Sequence, residues 1–186
     1  MKEVEVLIDV LSTKDEALQA LRRFDDRGVK RVVDVYFYDP LRDDLKPQAD
    51  GRLMRSFRLR KKDNKCFLTY KVDDFDTNGN WTYSDEHESG IDDFDAARLI
   101  LEHLGFKELT RLDNEKYTFM TPDYEIVLED VKKLGLFLEV ECLKDIPDSE
   151  IIKEKEKIRK FINQLDIRLG KELNVGKPEL MLKLNE

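Results

Sequence analysis

Charged residues of one sign recur at every second position along several segments of this chain, with apolar residues between them. Glu3 and Glu5 oppose Val4 and Val6, and Arg58 and Arg60 oppose Phe57 and Leu59. Lys71 shares a face with Thr69, against Leu68 and Tyr70. Glu86 and Glu88 repeat the pattern, as do Glu125 and Glu129 against Ile126 and Leu128, and Glu139 and Glu141 against Leu138 and Val140. Side chains of a strand alternate between its faces, so each same-sign pair points one way. An open sheet with one face on helices and the other in water accounts for the alternation. It does not account for the sorting, because a solvated face ordinarily mixes signs to avoid like-charged neighbours. Strands that curl until the charged face becomes a lumen account for both. Cations on some walls and clustered carboxylates on others would suit a polyphosphate with a hard divalent cation.

The rest of the chain supplies the other elements of an α+β domain. Thr13 and Glu16 stand in capping-box spacing before Leu18, Leu21 and Phe24, which predicts a first helix stopping at Gly28. Val32 to Tyr38 reads as a second strand, and Pro40 to Gly51 as a polar loop. Strand-like stretches at 53–61 and 66–72 flank Asp63-Asn64, a hairpin turn. A shorter strand covers 81–89. Ala97, Ile100, Leu101 and Leu104 form a second helical stripe closed by Gly105. Strands at 107–120 and 124–131 flank Thr121-Pro122-Asp123, and a further strand spans 136–143. A long helix is expected over 149–169. The expectation is about eight strands in a single domain over residues 1–186, with segregated helices.

Composition narrows the function. The 186 residues carry 33 basic and 41 acidic side chains, a net of −8, and that balance disfavours general nucleic-acid binding. No run approaches the ~18 apolar residues of a membrane-spanning helix, and the N-terminus lacks the apolar core of a secretory signal. Cys66 and Cys142 show no metal-binding spacing, which fits a cytoplasmic protein with two reduced thiols. With His87 and His103 as the two histidines, a metal here would be a hard cation held by carboxylates.

Several stretches together resemble the CYTH superfamily, the triphosphate tunnel metalloenzymes, which includes class IV adenylyl cyclases, thiamine triphosphatases and inorganic triphosphatases. Glu3-Val4-Glu5-Val6-Leu7 is similar to the family's N-terminal ExExK. The second strand from Asp34 through Tyr36 and Phe37, followed by Asp39-Pro40-Leu41-Arg42-Asp43, looks like the class IV cyclase-like branch. Arg58-Leu59-Arg60, then Phe67-Leu68-Thr69-Tyr70-Lys71, resembles the paired arginines and the LTYK strand. Glu86-His87-Glu88 matches a later ExE, and the stretch from Leu128 to Glu141 resembles the family's LDEV…LG.F.EIE block. The ordered set spans Glu3 to Glu141.

The resemblance implies an eight-stranded antiparallel barrel, the triphosphate tunnel, with flanking helices. It implies triphosphate binding by Arg58, Arg60, Lys71 and Lys116, and Mg²⁺ or Mn²⁺ held by Glu3, Glu5, Glu129, Glu139 and Glu141. Glu86, Glu88 and Glu125 would be further tunnel carboxylates. Three places depart from the family pattern: Leu7, Leu112 and Asn114 stand where cations are usual. Arg111 would point outward unless a bulge shifts the register. Three expectations differ in class. The first is a metal-dependent enzyme acting on a nucleoside, thiamine or inorganic triphosphate, as phosphohydrolase or adenylyl cyclase. The second is a catalytically weakened triphosphate- or nucleotide-binding barrel. The third is an unrelated acidic β-domain that works through protein contacts. A small-molecule partner, no nucleic acid, no membrane, and a monomer or homodimer complete the expectation.

Overall fold

The computed structural model describes residues 2–184. Seven long antiparallel strands form a curled sheet in the order β6-β5-β4-β3-β7-β8-β9: β3 (Asp25–Tyr38), β4 (Arg55–Lys62), β5 (Lys65–Phe75), β6 (Trp81–Ile91), β7 (Lys107–Met120), β8 (Tyr124–Val131) and β9 (Gly135–Cys142). The N-terminal segment bonds both ends of this sheet. Its first piece, β1 (Lys2–Glu3), pairs with β6 through Glu3↔Ser84. After a break at Val4 its second piece, β2 (Glu5–Val10), pairs with β9 from Glu5↔Glu141 to Asp9↔Phe137. Cys142 N–H donates to the Val4 carbonyl at 2.9 Å, so the pairing continues across the break. Counting β1 and β2 as one strand gives the expected eight-stranded antiparallel barrel. A short strand, β10 (Leu169–Glu172), adds to the free edge of β2.

The helices cover the outside of this wall. Val4, Val6, Ile8, Ile126, Leu128, Leu138 and Val140 face outward and pack against α1 (Lys14–Leu21) and α3 (Ile151–Ile162) through Ala17, Leu21, Ile158 and Ile162. On the opposite side Val35, Phe37 and Leu59 pack against Leu101 of α2 (Phe94–His103). The other face of the same strands is left for the charged residues. The capping box of α1 forms: Glu16 N–H donates to Thr13 Oγ1, and Thr13 N–H donates to the Glu16 carboxylate at 2.8 Å.

Several expected boundaries are corrected. β3 begins at Asp25, seven residues before the expected Val32, because residues 25–31 are exposed and show no apolar alternation. Gly28 is therefore no helix stop; with φ +85° it lies in the irregular start of β3, between the pairs Asp26↔Phe119 and Val29↔Tyr117. The helix expected over 149–169 ends at Ile162, and the chain returns as β10. A fourth helix, α4 (Lys177–Leu184), has no counterpart in the expectation.

Helix α3 is held to the barrel by buried apolar contact, with Ile158 fully enclosed. Ile158→Ala should lower the unfolding free energy by about 2–5 kcal/mol in urea titration, the range for truncating a buried aliphatic side chain.

Candidate functional site

The inner face of the barrel is a tunnel lined by six cationic side chains, Arg58, Arg60, Lys62, Lys71, Lys116 and Lys177, and nine carboxylates. The carboxylates are Glu3, Glu5, Asp34, Asp73, Glu86, Glu125, Glu139, Glu141 and Glu179. Strand periodicity explains the selection, since 3 and 5, 58, 60 and 62, and 139 and 141 are alternate positions. Arg58, Arg60, Lys71, Lys116, Glu3, Glu5, Glu86, Glu125, Glu139 and Glu141 are thus brought together, as the sorting of signs requires. Glu88 is not among the lining residues; it is exposed and accepts from Thr69 Oγ1 at 3.1 Å. Arg111 lies outside and pairs with Glu108.

Most of the cations are held by carboxylates. Lys71 Nζ lies 2.9 Å from both Glu3 and Glu5, and 5.3 Å from the centre of the Trp81 ring. Asp34 receives two hydrogen bonds from Arg60, at 2.7 and 3.0 Å. Burial alone would raise the Asp34 carboxyl, but the charges of Arg60 and Arg58 override it and hold it well below the usual range. Arg58 donates to the Tyr36 hydroxyl at 3.3 Å and lies 3.5 Å from Glu86, while its Nε is buried without a partner.

Glu129 shares the inward parity of Glu125 and Val127 on β8 but is completely buried and is not among the lining residues. Lys116 approaches it at 2.6 Å and Lys177 at 2.8 Å, and Asn114 Nδ2 donates to it at 3.3 Å. Lys177 also bonds Glu139 at 2.6 Å. Burial opposes charge on both partners, yet Glu129 and Glu139 hold the Lys177 ammonium above the usual lysine range. Lys177 and Lys116 in turn hold Glu139 well below the usual carboxylate range.

Lys177, like Lys62, Asp73 and Glu179 in the same lining, was missed by sequence reasoning, and its position explains two of the departures noted above. Leu7 and Leu112 point to one end of the tunnel, where with Tyr36, Val131 and Phe137 they form an apolar cluster that receives Met181 of α4. The places where the family pattern puts cations are thus a socket for a helix. That helix begins with Lys177 and inserts it between Glu129 and Glu139. The N-terminal turn of α4 is also fastened by Glu179, whose Oε1 accepts from Leu53 N–H at 3.1 Å.

Negative charge remains in excess. Glu141 has no salt-bridge partner among the described residues, and burial with Glu5, Glu3 and Glu139 nearby pushes it up to about 8. Burial likewise lifts Asp73 to about 6. Oxygen-only donors carrying surplus negative charge fit a hard divalent cation. They do not form a ready cage: among the described residues no three such ligands converge, and Lys71 stands between Glu3 and Glu5.

Comparison with known proteins agrees with this geometry. The model of the CYTH domain family matches residues 1–169. The chain belongs to the CYTH family. A Methanocaldococcus jannaschii protein named "putative adenylate cyclase" is 30% identical over 185 residues, covering 98% of this chain and 95% of its own. The structure of a Pyrococcus horikoshii protein superimposes with a TM-score of 0.81 at 28% identity, over 98% of this chain and 99% of that one. The fold is also shared with a Hippeastrum protein described as a "putative adenylyl cyclase" that reveals a dominant triphosphatase activity. Its TM-score is 0.65 at 15% identity, over 100% of this chain and 96% of that one. No helix among the described residues is long and apolar enough to cross a membrane.

Glu179 gives a pH test of the α4 anchorage. It is buried, its Oε2 has no partner, and burial raises its carboxyl to about 7. A folded-state value above the unfolded one of 4.5 contributes stability that is present at low pH and lost as pH rises through about 7. Glu179→Gln keeps the acceptor for Leu53 N–H and removes the titration. The variant should gain stability relative to the parent between about pH 5 and pH 8, as read from thermal melts. A parallel decline in both proteins would show that Glu179 does not carry the effect.

Proposed function

We propose that this chain is a cytoplasmic, divalent-metal-dependent phosphohydrolase acting on a triphosphate-containing small molecule. The observation that carries this reading is the tunnel itself: six cations on converging strands and one helix, lining one cavity with nine carboxylates. Phosphoryl transfer asks a protein chiefly for positioning and charge stabilisation, and fixed cations in a walled site supply both. Arg58 lines the tunnel, and its guanidinium would take a phosphoryl oxygen beside its contacts to Tyr36 and Glu86. Lys71, Lys116 and Lys177 would exchange part of their carboxylate contacts for phosphoryl oxygens. Asp34 holds Arg60 by two bonds, which fixes the plane of its guanidinium towards the ligand. Glu3, Glu5, Glu139 and Glu141 would hold Mg²⁺ or Mn²⁺, with Glu129 supporting the set through Lys177. When bound, the metal would neutralise phosphoryl charge and orient the attacking oxygen.

A second reading, adenylyl cyclase, is favoured by the name of the M. jannaschii relative. The two share the triphosphate site and differ in the nucleophile: water in one, a ribose hydroxyl in the other. Two aromatic side chains line the tunnel, and both are engaged: Trp81 by Lys71 in the tunnel and Lys155 behind the wall, and Tyr36 through its hydroxyl by Arg58. This supports recognition of the phosphates rather than of a base. Free Cys66 and Cys142 agree with a reducing compartment.

The test is phosphate and pyrophosphate release from tripolyphosphate, thiamine triphosphate and ATP with Mg²⁺ or Mn²⁺, beside a cyclic AMP assay. Release from at least one triphosphate is expected, and cyclic AMP as the main product from ATP would favour the cyclase. No turnover on any of them, despite binding, would make the barrel a binding module. Lys177→Ala should reduce kcat/KM by about 10²–10³, the cost of one lost stabilising donor. An unchanged kcat/KM in a folded Lys177→Ala variant would show that Lys177 serves only to seat α4.

A further inference from the structure

Helix α2 is apolar on two faces. Phe94, Ala97 and Leu101, at steps of three and four, turn inward and pack with Val35, Phe37 and Leu59 of the barrel wall. That face seats the helix. On the other side Leu99 is 47% exposed, Ile100 59%, and Leu104, the C-cap, 70%. Ala96 and His103 are exposed among them, so the stripe runs the length of the helix. A surface helix ordinarily carries polar residues on its outer side. α3 does so, with Lys153, Glu156, Lys157 and Lys160 exposed beside Ile152. Among the described residues no helix other than α2 carries more than one exposed large apolar side chain.

The charges beside this stripe differ between its two ends. Asp92, Asp93 and Asp95 stand before and within the first turn, and Asp93 is engaged as the N-cap, accepting from Ala96 N–H at 2.9 Å. Asp92 and Asp95 are exposed, with no ion-pair partner among the described residues. At the other end Glu102 is paired with Arg98, and Glu108 with Arg111. That leaves His103 in the last turn and Lys107 at the start of β7, both exposed. Beyond its internal pairs, the helix is therefore acidic at its start and basic at its end. Such a surface complements itself when a second copy lies across it antiparallel.

We propose that the outer face of α2 is a two-fold interface at which a second copy of this chain binds, with the two α2 helices antiparallel. An axis between Leu99 and Ile100 sets Leu99 against Ile100 of the second copy, and Ala96 against its His103. The small Ala96 side chain lets the helices approach closely. The same axis brings Asp92 and Asp95 of each copy towards Lys107 and His103 of the other, so the charge pairing occurs twice. A ten-residue helix is about 15 Å long. Its face buries less than the ~800 Å² per partner of a standard interface, so the association is weak and depends on concentration. α2 covers the outside of the barrel wall, so both tunnels stay open in the dimer. The inference does not depend on the triphosphate reading above.

The experiment is sedimentation equilibrium of the full chain from about 1 µM to about 1 mM, the span in which an interface below standard size associates. The parent mass should rise from one chain to two. Ile100→Glu changes an exposed position, so it should remain folded in thermal melts and weaken association at least about tenfold. Leu99→Gln, a milder change in the same stripe, should weaken it about threefold. Lys107→Glu should weaken it about tenfold, because like charges then meet at both ends. Adding Asp92→Lys to Lys107→Glu should recover the parent value, since the ends again complement each other with signs exchanged. A parent of single-chain mass at every concentration would overturn the proposal. So would a dimer that Ile100→Glu and Leu99→Gln leave intact, which would place the contact elsewhere. A doubly exchanged chain that does not recover would overturn the antiparallel arrangement.

Discussion

Glu129 has no exposure to solvent, and Lys116 and Lys177 both lie within 3 Å of it. A carboxylate withdrawn from water is costly unless it is paired and hydrogen-bonded, and here Asn114 adds a third contact. The two lysines come from different parts of the chain, one from β7 and one from the first turn of α4. The single buried charge thus ties the barrel wall to the C-terminal helix. Removing one lysine leaves the other in place, so the arrangement tolerates the exchange of one partner for a ligand. In the proposed function such cations are kept in position by internal carboxylates until an incoming anion takes over part of their contacts.

The same constraint explains how α4 is seated. A barrel end lined by Leu7, Leu112, Val131 and Phe137 could not face water without exposing a continuous apolar patch. Met181 covers it, and the covering helix delivers Lys177. The same N-terminal turn is fastened a second time: Glu179 accepts from Leu53 N–H and leaves one oxygen unsatisfied. The apolar substitutions at positions 7 and 112 are therefore coupled to the helix rather than simple losses of charge. Where the resemblance would put two wall cations the barrel carries leucines, and one tunnel cation comes from α4.

Much of this was legible in the sequence where burial imposes a period. The inward parity of Glu3, Glu5, Arg58, Arg60, Glu139 and Glu141 follows from alternation with Val4, Leu59 and Val140, because the outer face must pack on helices. Residues 25–31 gave no such signal: that part of β3 is exposed, so nothing apolar marks its period. Lys177 and Lys62 were missed for different reasons. Lys177 acts through a helix that lies far along the chain from the strands it serves, in a stretch where no element was expected. Lys62 stands beside Lys61 at a hairpin, where two adjacent lysines look like solvated charge until the register places one of them inside.

The central claim is that the tunnel cations are held ready for phosphoryl oxygens. A crystal structure of the protein with tripolyphosphate and Mn²⁺ tests it most directly. The account predicts the anion inside the barrel, with phosphoryl oxygens in hydrogen-bond contact with Arg58, Lys71 and Lys177, and the metal on the side of Glu3, Glu5 and Glu141. Tripolyphosphate bound only on the outer surface, with Lys71 still between Glu3 and Glu5 and Lys177 still on Glu129 and Glu139, would contradict it.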